Sequence, residues 1–325
     1  MNKRSFPSST RIAVVGFLVL VAALSATTST EAHPDARELI ARYTAEIDAG
    51  SRDPKVYYDR SVAWRSVNRN HEAAADLKKA LELNPEFLMA LQQLPRVLAA
   101  QGQVDEAIDT AKKAIEVARA HGRAAEAHCW GVLARVELAR KGHASARAAL
   151  AKAFELQPAG DLDWFLAEAD ALQALGKSNE AIKALKKAHD RTGSVVLRNA
   201  WLDTLLDAGR GVEALPLIEA ELKARPRNSA WLVRRARARL STKNVADAEA
   251  DLRLAVEELD RKISADHPHV ALLIDRAMAW ALLGEKERAA KDIAVARDHG
   301  ASAELLAPAA RLLSAPSTPA ASEAL

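Results

Sequence analysis

Residues 54–85 read PKVYYDRSVAWRSVNRNHEAAADLKKALELNP, and this stretch decides the fold. Its first half carries Tyr57 and Trp64 seven residues apart, which places both rings on one face of a helix. Its second half repeats small and apolar residues at helical spacing: Ala73, Leu77 and Ala80. Pro85 then stops the second helix, because proline cannot continue it. The stretch therefore predicts an antiparallel hairpin of two helices.

The second-half pattern recurs along the chain. Each copy is an alanine followed by small or apolar residues four and seven positions later: Ala73-Leu77-Ala80, Ala107-Ala111-Ala114, Ala146-Leu150-Ala153, Ala181-Leu185-Ala188, Ala248-Leu252-Ala255 and Ala289-Ile293-Ala296, with a weaker copy at Ala214-Ile218-Glu221. Successive leading alanines lie 33 to 41 residues apart. The segment before each turn also carries large residues in two recurring slots: Tyr57, Leu91, Trp130, Phe165 and Leu273 in one, and Trp64, Leu98, Leu172, Leu205 and Trp280 in the other. A small residue lets two helices approach closely, and the large residues fill the space between them.

Glycines punctuate the chain between the two segments of most copies: Gly102, Gly142, Gly176, Gly209 and Gly284. Glycine adopts the left-handed backbone conformation at little steric cost, so it commonly ends a helix. We interpret these glycines as the turn residues of the hairpins.

The period, the small-residue slots and the closing proline resemble the tetratricopeptide repeat. Seven such units cover residues 54–298, and the resemblance implies an all-α, right-handed superhelical solenoid of antiparallel helix hairpins with its first helices on the concave face. Each repeat buries its apolar face only on its neighbours, so we expect an amino-terminal capping helix in residues 33–53 and a carboxy-terminal one in residues 299–313. Residues 314–325 are rich in Ala, Pro and Ser, and predict a disordered tail.

The first 32 residues have the layout of a secretory signal. Lys3, Arg4 and Arg11 precede an apolar run at residues 12–24, and small and polar residues follow up to Ala32. The apolar run is too short for the roughly 20 residues of a membrane-spanning helix. We therefore expect export to a periplasmic or extracellular location with no membrane span in the mature chain, and an uncleaved signal anchor is the alternative.

Composition argues against several functions. The chain has 46 Lys and Arg against 43 Asp and Glu, without the basic excess that nucleic acid binding favours. The single cysteine, Cys129, excludes an internal disulfide. We found no phosphate-binding glycine loop, nucleophile elbow or metal-ligand spacing. The sequence therefore predicts no enzyme activity, no cofactor and no metal site.

The first helices carry polar residues that point neither at the partner helix nor at the next repeat. These candidate groove residues are Arg65, Gln92, Arg96, Arg135, Asp170, Asn199, Asp203, Asp207, Arg234 and Arg237. Matching slots are positive in the second and third repeats, negative in the fourth and fifth, and positive in the sixth. Such a pattern would set the register of a bound peptide or helix. The alternative interpretation is an ordinary solvated face whose charges pair across repeats.

Three functions remain open. The first is an exported scaffold or adaptor that binds a protein or peptide in its groove. The second is a structural subunit that assembles with copies of itself. The third is an accessory component of a cell-envelope complex that binds a sugar or a lipid.

Overall fold

The computed structural model describes residues 35–264 and 268–314, and every regular element in these ranges is helical. The α-helices are α1 (Ala36–Asp48), α2 (Pro54–Ser66), α3 (Asn70–Leu83), α4 (Leu88–Ala100), α5 (Val104–Ala118), α6 (Arg123–Ala139), α7 (His143–Leu156), α8 (Leu162–Ala174), α9 (Ser178–Thr192), α10 (Val195–Asp207), α11 (Gly211–Ala224), α12 (Ser229–Ser241), α13 (Val245–Lys262), α14 (Val270–Leu282), α15 (Lys286–Asp298) and α16 (Ala303–Ser314). The predicted export signal and residues 315–325 of the predicted tail lie outside the described residues.

The helices pair into seven antiparallel hairpins, from α2–α3 to α14–α15, and the second helix of each hairpin packs on the first helix of the next. This confirms the predicted all-α solenoid. Two spacings between leading alanines exceed the usual period, and longer helices take up part of the extra residues: α6 has 17 residues and α13 has 18. A 3₁₀ turn at Arg119–His121 lengthens the connection before α6.

The predicted triplets form the packed face of the second helices. All seven leading alanines are fully buried, and the central residue of every triplet is also buried. The weaker copy departs at Glu221, whose carboxylate lies 2.8 Å from both Arg198 and Arg225. An ion pair between α10 and α11 thus replaces the small apolar contact of the other hairpins.

Each hairpin turn places one residue in the left-handed conformation, five positions before the leading alanine. Gly102, Gly176, Gly209 and Gly284 occupy this slot as predicted, and Asn68, Lys141 and Lys243 occupy it in the other hairpins. The prediction for Gly142 was wrong. Its φ is −79°, and the left-handed residue is Lys141, one position earlier. A Cβ on Gly142 would lie 2.6 Å from Oε2 of Glu137 and 3.2 Å from the backbone oxygen of Glu137, so the Glu137 side chain would have to move to admit it.

Three hairpins contain a buried ion pair that the sequence patterns did not reveal. In each pair an arginine of the first helix faces an aspartate sixteen residues later on the second helix: Arg60–Asp76, Arg235–Asp251 and Arg276–Asp292. Two nitrogens of each guanidinium donate to the two carboxylate oxygens at 2.6–2.9 Å. Such two-point pairing holds the two helices at a defined height along each other.

A helix lies at each end of the array. α1 packs on α2, where Arg60 also donates to the hydroxyl of Thr44 at 3.1 Å. α16 packs on α14 and α15, and buries Leu306 and Ala309 against Leu273 and Ile293. The last hairpin therefore shields its outer apolar face with α16.

Candidate functional site

The first helices form the inner side of the array. Successive first helices pack on one another in the series α4, α6, α8, α10, α12 and α14. No comparable packing joins successive second helices in the described part of the chain. The array therefore curves toward its first helices and forms a concave groove. The slot eleven residues before each leading alanine faces this groove, and it holds Val62, Arg96, Arg135, Asp170, Asp203, Arg237 and Met278 in chain order.

Three predicted residues lie at the amino-terminal part of the groove. Arg65 donates through Nη1 to Oε1 of Gln93 at 2.6 Å, which links α2 to α4. Gln92 donates to the sulfur of buried Cys129 at 3.6 Å. Arg96 differs from both, since its Nε is shielded from solvent and has no acceptor among the described residues. Burial lowers the pKa of Arg96 because it penalises the charged form, and Arg65 and Arg135 act in the same direction, whereas Asp163 and Asp161 oppose it.

A cleft of about 240 Å³ opens beside Arg96, between α4, α6 and the start of α8. Its lining consists of Arg96, His128, Gly131, Arg135, Asp161, Leu162, Asp163 and Trp164. The buried indole of Trp164 lies directly against α6, because position 131 has no side chain: a Cβ on Gly131 would be 2.1 Å from the indole Nε1. The sequence patterns identified Arg96 and Arg135 but missed the other residues of the cleft.

His128 shares this cleft with four charged groups. Its Nδ1 lies 3.9 Å from Oδ2 of Asp161. Burial lowers the pKa of His128, and Arg96 lowers it further, whereas Asp161 and Asp163 raise it. The pKa of His128 therefore lies below its ordinary value, which favours the neutral ring.

Four of the predicted residues form one ion-pair network at the carboxy-terminal part of the groove. Arg234 donates through Nε and Nη2 to the two carboxylate oxygens of Asp203, at 3.0 and 2.8 Å. Arg237 donates to Asp203 at 3.2 Å and to Asp207. The side chain of Arg237 is only 8% exposed. At these positions the charges pair across repeats, and the network links α10 to α12.

Asp275 lies beside this network and was missed in the sequence. Burial raises its pKa to about 6, with Asp203 acting in the same direction and Arg234 in the opposite one. The missed signal is positional, because Asp275 occupies the slot in α14 that Arg234 occupies in α12, fourteen residues before the leading alanine.

The closing helix α16 reaches across the groove. Pro308, Arg311 and Leu312 line a cavity of about 200 Å³ with the network, and a second one of about 770 Å³ that extends to Asp170 on α8. Nη2 of Arg311 lies 3.9 Å from Oδ2 of Asp207. α16 therefore borders the carboxy-terminal part of the groove as well as covering the last hairpin.

The last predicted residue, Asn199, lies on α10 with its Oδ1 shielded and without a donor among the described residues. No group of three or more His, Cys, Asp or Glu side chains suited to a metal ion occurs in residues 35–264 and 268–314. Within the same ranges, no helix has the length and apolar character needed to cross a membrane.

The repeats are similar to those of known proteins in sequence and in fold. The family model described as "Tetratricopeptide repeat" matches residues 54–87. The fold resembles the crystal structure of a tetratricopeptide repeat protein from Parabacteroides merdae, with a TM-score of 0.56 and 18% identity over 81% of this chain and 99% of that one.

Two curated proteins are similar over a short part of the chain. DnaJ homolog subfamily C member 3 of Bos taurus is 29% identical over 79 residues, which are 24% of this chain and 16% of that protein. Hsp70-Hsp90 organizing protein 2 of Arabidopsis thaliana is 29% identical over 84 residues, which are 26% of this chain and 14% of that protein. The chain thus spans less than a fifth of the length of these curated relatives.

Proposed function

The chain is a tetratricopeptide repeat protein, and from this we propose that it is an exported, non-catalytic scaffold that binds another polypeptide in its concave groove. The observation that carries the proposal is the packing of successive first helices, which puts charged side chains in equivalent slots along one continuous surface. Hsp70-Hsp90 organizing protein 2 adds support, because its name describes a protein that organises other proteins.

The groove has two parts with different properties. At the carboxy-terminal part, Asp203, Asp207, Arg234 and Arg237 neutralise one another and α16 borders the surface. At the amino-terminal part, Arg96 has no ion pair with any described residue. Charged groups at a binding surface set specificity and association rate, so the amino-terminal part is the better candidate for partner recognition.

Export is the part of the proposal that depends on the sequence alone. The basic residues, the apolar run at 12–24 and the small residues up to Ala32 support it. We expect to find the chain in the exported fraction of its native cell, beginning after residue 24.

Affinity capture from that exported fraction tests the function. We expect the wild-type chain to retain a polypeptide that the Arg96→Glu/Arg135→Glu variant loses. Arg237 is left unchanged, because reversing a nearly buried charge that pairs with Asp203 and Asp207 would disrupt the fold.

The matched control is Arg147→Glu/Arg253→Glu, which makes the same change in net charge on the second helices α7 and α13. Circular dichroism should give equal helicity for all three proteins. Retention of the polypeptide by the groove variant would contradict the proposal. Capture of this chain alone would instead favour the self-assembling alternative.

A further inference from the structure

The fifth hairpin differs from the other six in how its helices pack. α10 and α11 pack less extensively on each other than the two helices of any other hairpin. α10 packs mainly on the preceding helix α9, and α11 mainly on the following helix α12. We call the contact between α10 and α11 the junction, because it divides the array into two parts that are each packed more closely than the junction itself.

Two residues account for the wider separation of the helices at the junction. Trp201 stands thirteen positions before the leading alanine Ala214, where the other six hairpins hold leucine, glutamate or arginine. Glu221 stands seven positions after Ala214, where the other six hold alanine. The large ring on α10 and the longer side chain on α11 keep the two helices from approaching as closely as those of the other hairpins.

The junction also leaves polar atoms of α10 without hydrogen bonds. The Nε of Arg198, the Oδ1 of Asn199 and the Nε1 of Trp201 are shielded from solvent and have no partner among the described residues. Only two other side-chain atoms in residues 35–264 and 268–314 share this state. A shielded polar atom without a partner costs free energy that contact with water would recover. A movement that lets water reach α10 therefore relieves part of this cost.

A cleft of about 390 Å³ lies on the outer side of the junction, between the second helices α9 and α11. Ile182 and Lys183 of α9 line one side of it, Glu213 of α11 lines the other, and the indole of Trp201 lies between them. This space allows α9 and α11 to approach each other if the array straightens.

On the groove side, ion pairs join the two parts of the array. Asp203 and Asp207 on α10 contact Arg234 and Arg237 on α12, and Asp207 also lies 3.9 Å from Arg311 on α16. The side chains of Asp203 and Asp207 are 37% and 39% exposed. Dissolved ions can therefore reach these carboxylates and weaken their pairing.

We propose that the array bends at the junction, and that the groove-side ion pairs of Asp203 and Asp207 hold it in the curved form. Loss of these pairs lets the array straighten, which widens the carboxy-terminal part of the groove and narrows the cleft at Trp201. The inference concerns the fold itself and does not depend on what the groove binds.

Double electron–electron resonance of the full chain measures this bending with two matched pairs of spin labels. Cys129 is replaced by alanine, so that only introduced cysteines carry a label. The junction pair is Lys187→Cys on α9 with Arg253→Cys on α13, and the control pair is Lys113→Cys on α5 with Lys187→Cys. All three positions are exposed, and both pairs span two hairpins on the outer face.

Salt is the first variable, because it needs no change in the ion pairs themselves. Charges interact over about 30 Å at 0.01 M salt and about 3 Å at 1 M salt. At the higher concentration we expect the junction pair to shift to a shorter distance, since straightening brings the outer helices together. The control pair should keep the same distance at both concentrations.

A charge-neutralising variant tests the role of the ion pairs. Asp207→Asn removes one carboxylate and leaves Asp203 to pair with Arg237. We expect it to move the shift of the junction pair to a lower salt concentration. The matched control Asp109→Asn makes the same change in charge on α5, and should leave the salt dependence as in the wild type.

Three results would overturn the proposal. An unchanged or longer junction-pair distance at high salt would exclude straightening at the junction. Equal shifts in both label pairs would show that bending is spread over the whole array. Identical salt dependence of Asp207→Asn and Asp109→Asn would show that the groove-side ion pairs do not hold the curved form.

Discussion

Arg96 and Arg237 occupy the same slot in the second and sixth hairpins, yet their surroundings give them different roles. Arg237 is nearly buried and donates to Asp203 and Asp207, so its charge is used inside the molecule. Arg96 faces a cleft and has no acceptor for its Nε among the described residues. The same residue type in the same slot therefore takes part in an ion-pair network in one hairpin and borders an open cleft in the other.

Asp275 gives a prediction for stability against pH. Its folded pKa of about 6 lies above the ordinary value of 3.8, because burial penalises the carboxylate. Between these two values the folded chain keeps a proton that the unfolded chain has lost. This group therefore lowers the stability as pH rises from about 4 to about 6, and adds no further slope above that range.

Replacing Asp275 by Asn should remove this contribution. The melting temperature of Asp275→Asn relative to wild type should increase between about pH 4 and about pH 6, and then stay level. Thermal unfolding followed by circular dichroism at several pH values measures this difference. A constant difference across the range would show that Asp275 titrates normally in the folded chain.

At the scale of elements, the two helices of a hairpin meet at equivalent positions either through a buried Arg–Asp pair or through an apolar contact. The slots of Arg60 and Asp76 in the first hairpin hold Leu133 and Ala149 in the third. The third hairpin therefore shows what packing without an ion pair looks like in this fold. The ion pair adds a preferred register between the helices, and the apolar pair avoids the cost of desolvating two charges.

This internal comparison yields a prediction for the first hairpin. Arg60→Leu should destabilise the chain by about 3 kcal/mol, because it leaves the Asp76 carboxylate, 7% exposed, without its partner. The double variant Arg60→Leu/Asp76→Ala copies the third hairpin and should recover most of that loss. Urea unfolding of the three proteins measures both effects. A double variant no more stable than Arg60→Leu would argue that the pair is needed for packing itself.

At the scale of the molecule, the last hairpin has an apolar outer face that no further repeat covers, so another element has to shield it from water. α16 covers Leu273, Ala277 and Ile293 of the last hairpin, and its Pro308, Arg311 and Leu312 border the groove. The closing helix therefore affects both the stability of the last hairpin and the space in the groove.

Ending the chain at residue 300 should expose the apolar face of the last hairpin. We expect a lower urea midpoint, and an apparent mass that rises with concentration more steeply than that of the full chain, measured by light scattering. The matched control ends at Ser314 and keeps α16, so it should behave like the full chain. Equal stability and equal mass for all three chains would mean that α16 does not act as a cap.

The sequence by itself determined the repeats. Residues that pack between neighbouring helices recur at short, regular spacing, so the seven hairpins, the leading alanines and most turn glycines could be predicted from local patterns. Gly142 was predicted wrongly because the left-handed turn residue is Lys141, one position earlier, and a lysine gives no turn signal in the sequence. The signal at residues 1–32 lies outside the described residues, so export stays a prediction.

Only the tertiary structure decided how the charges are used. The Asp203–Arg234 contact joins residues 31 positions apart, and the Arg311–Asp207 contact brings α16 back to α10. Such contacts depend on the curvature of the array and on side-chain reach, which no periodic pattern encodes. The same applies to the cleft at Arg96, since it arises only where three helices meet around Gly131 and Trp164.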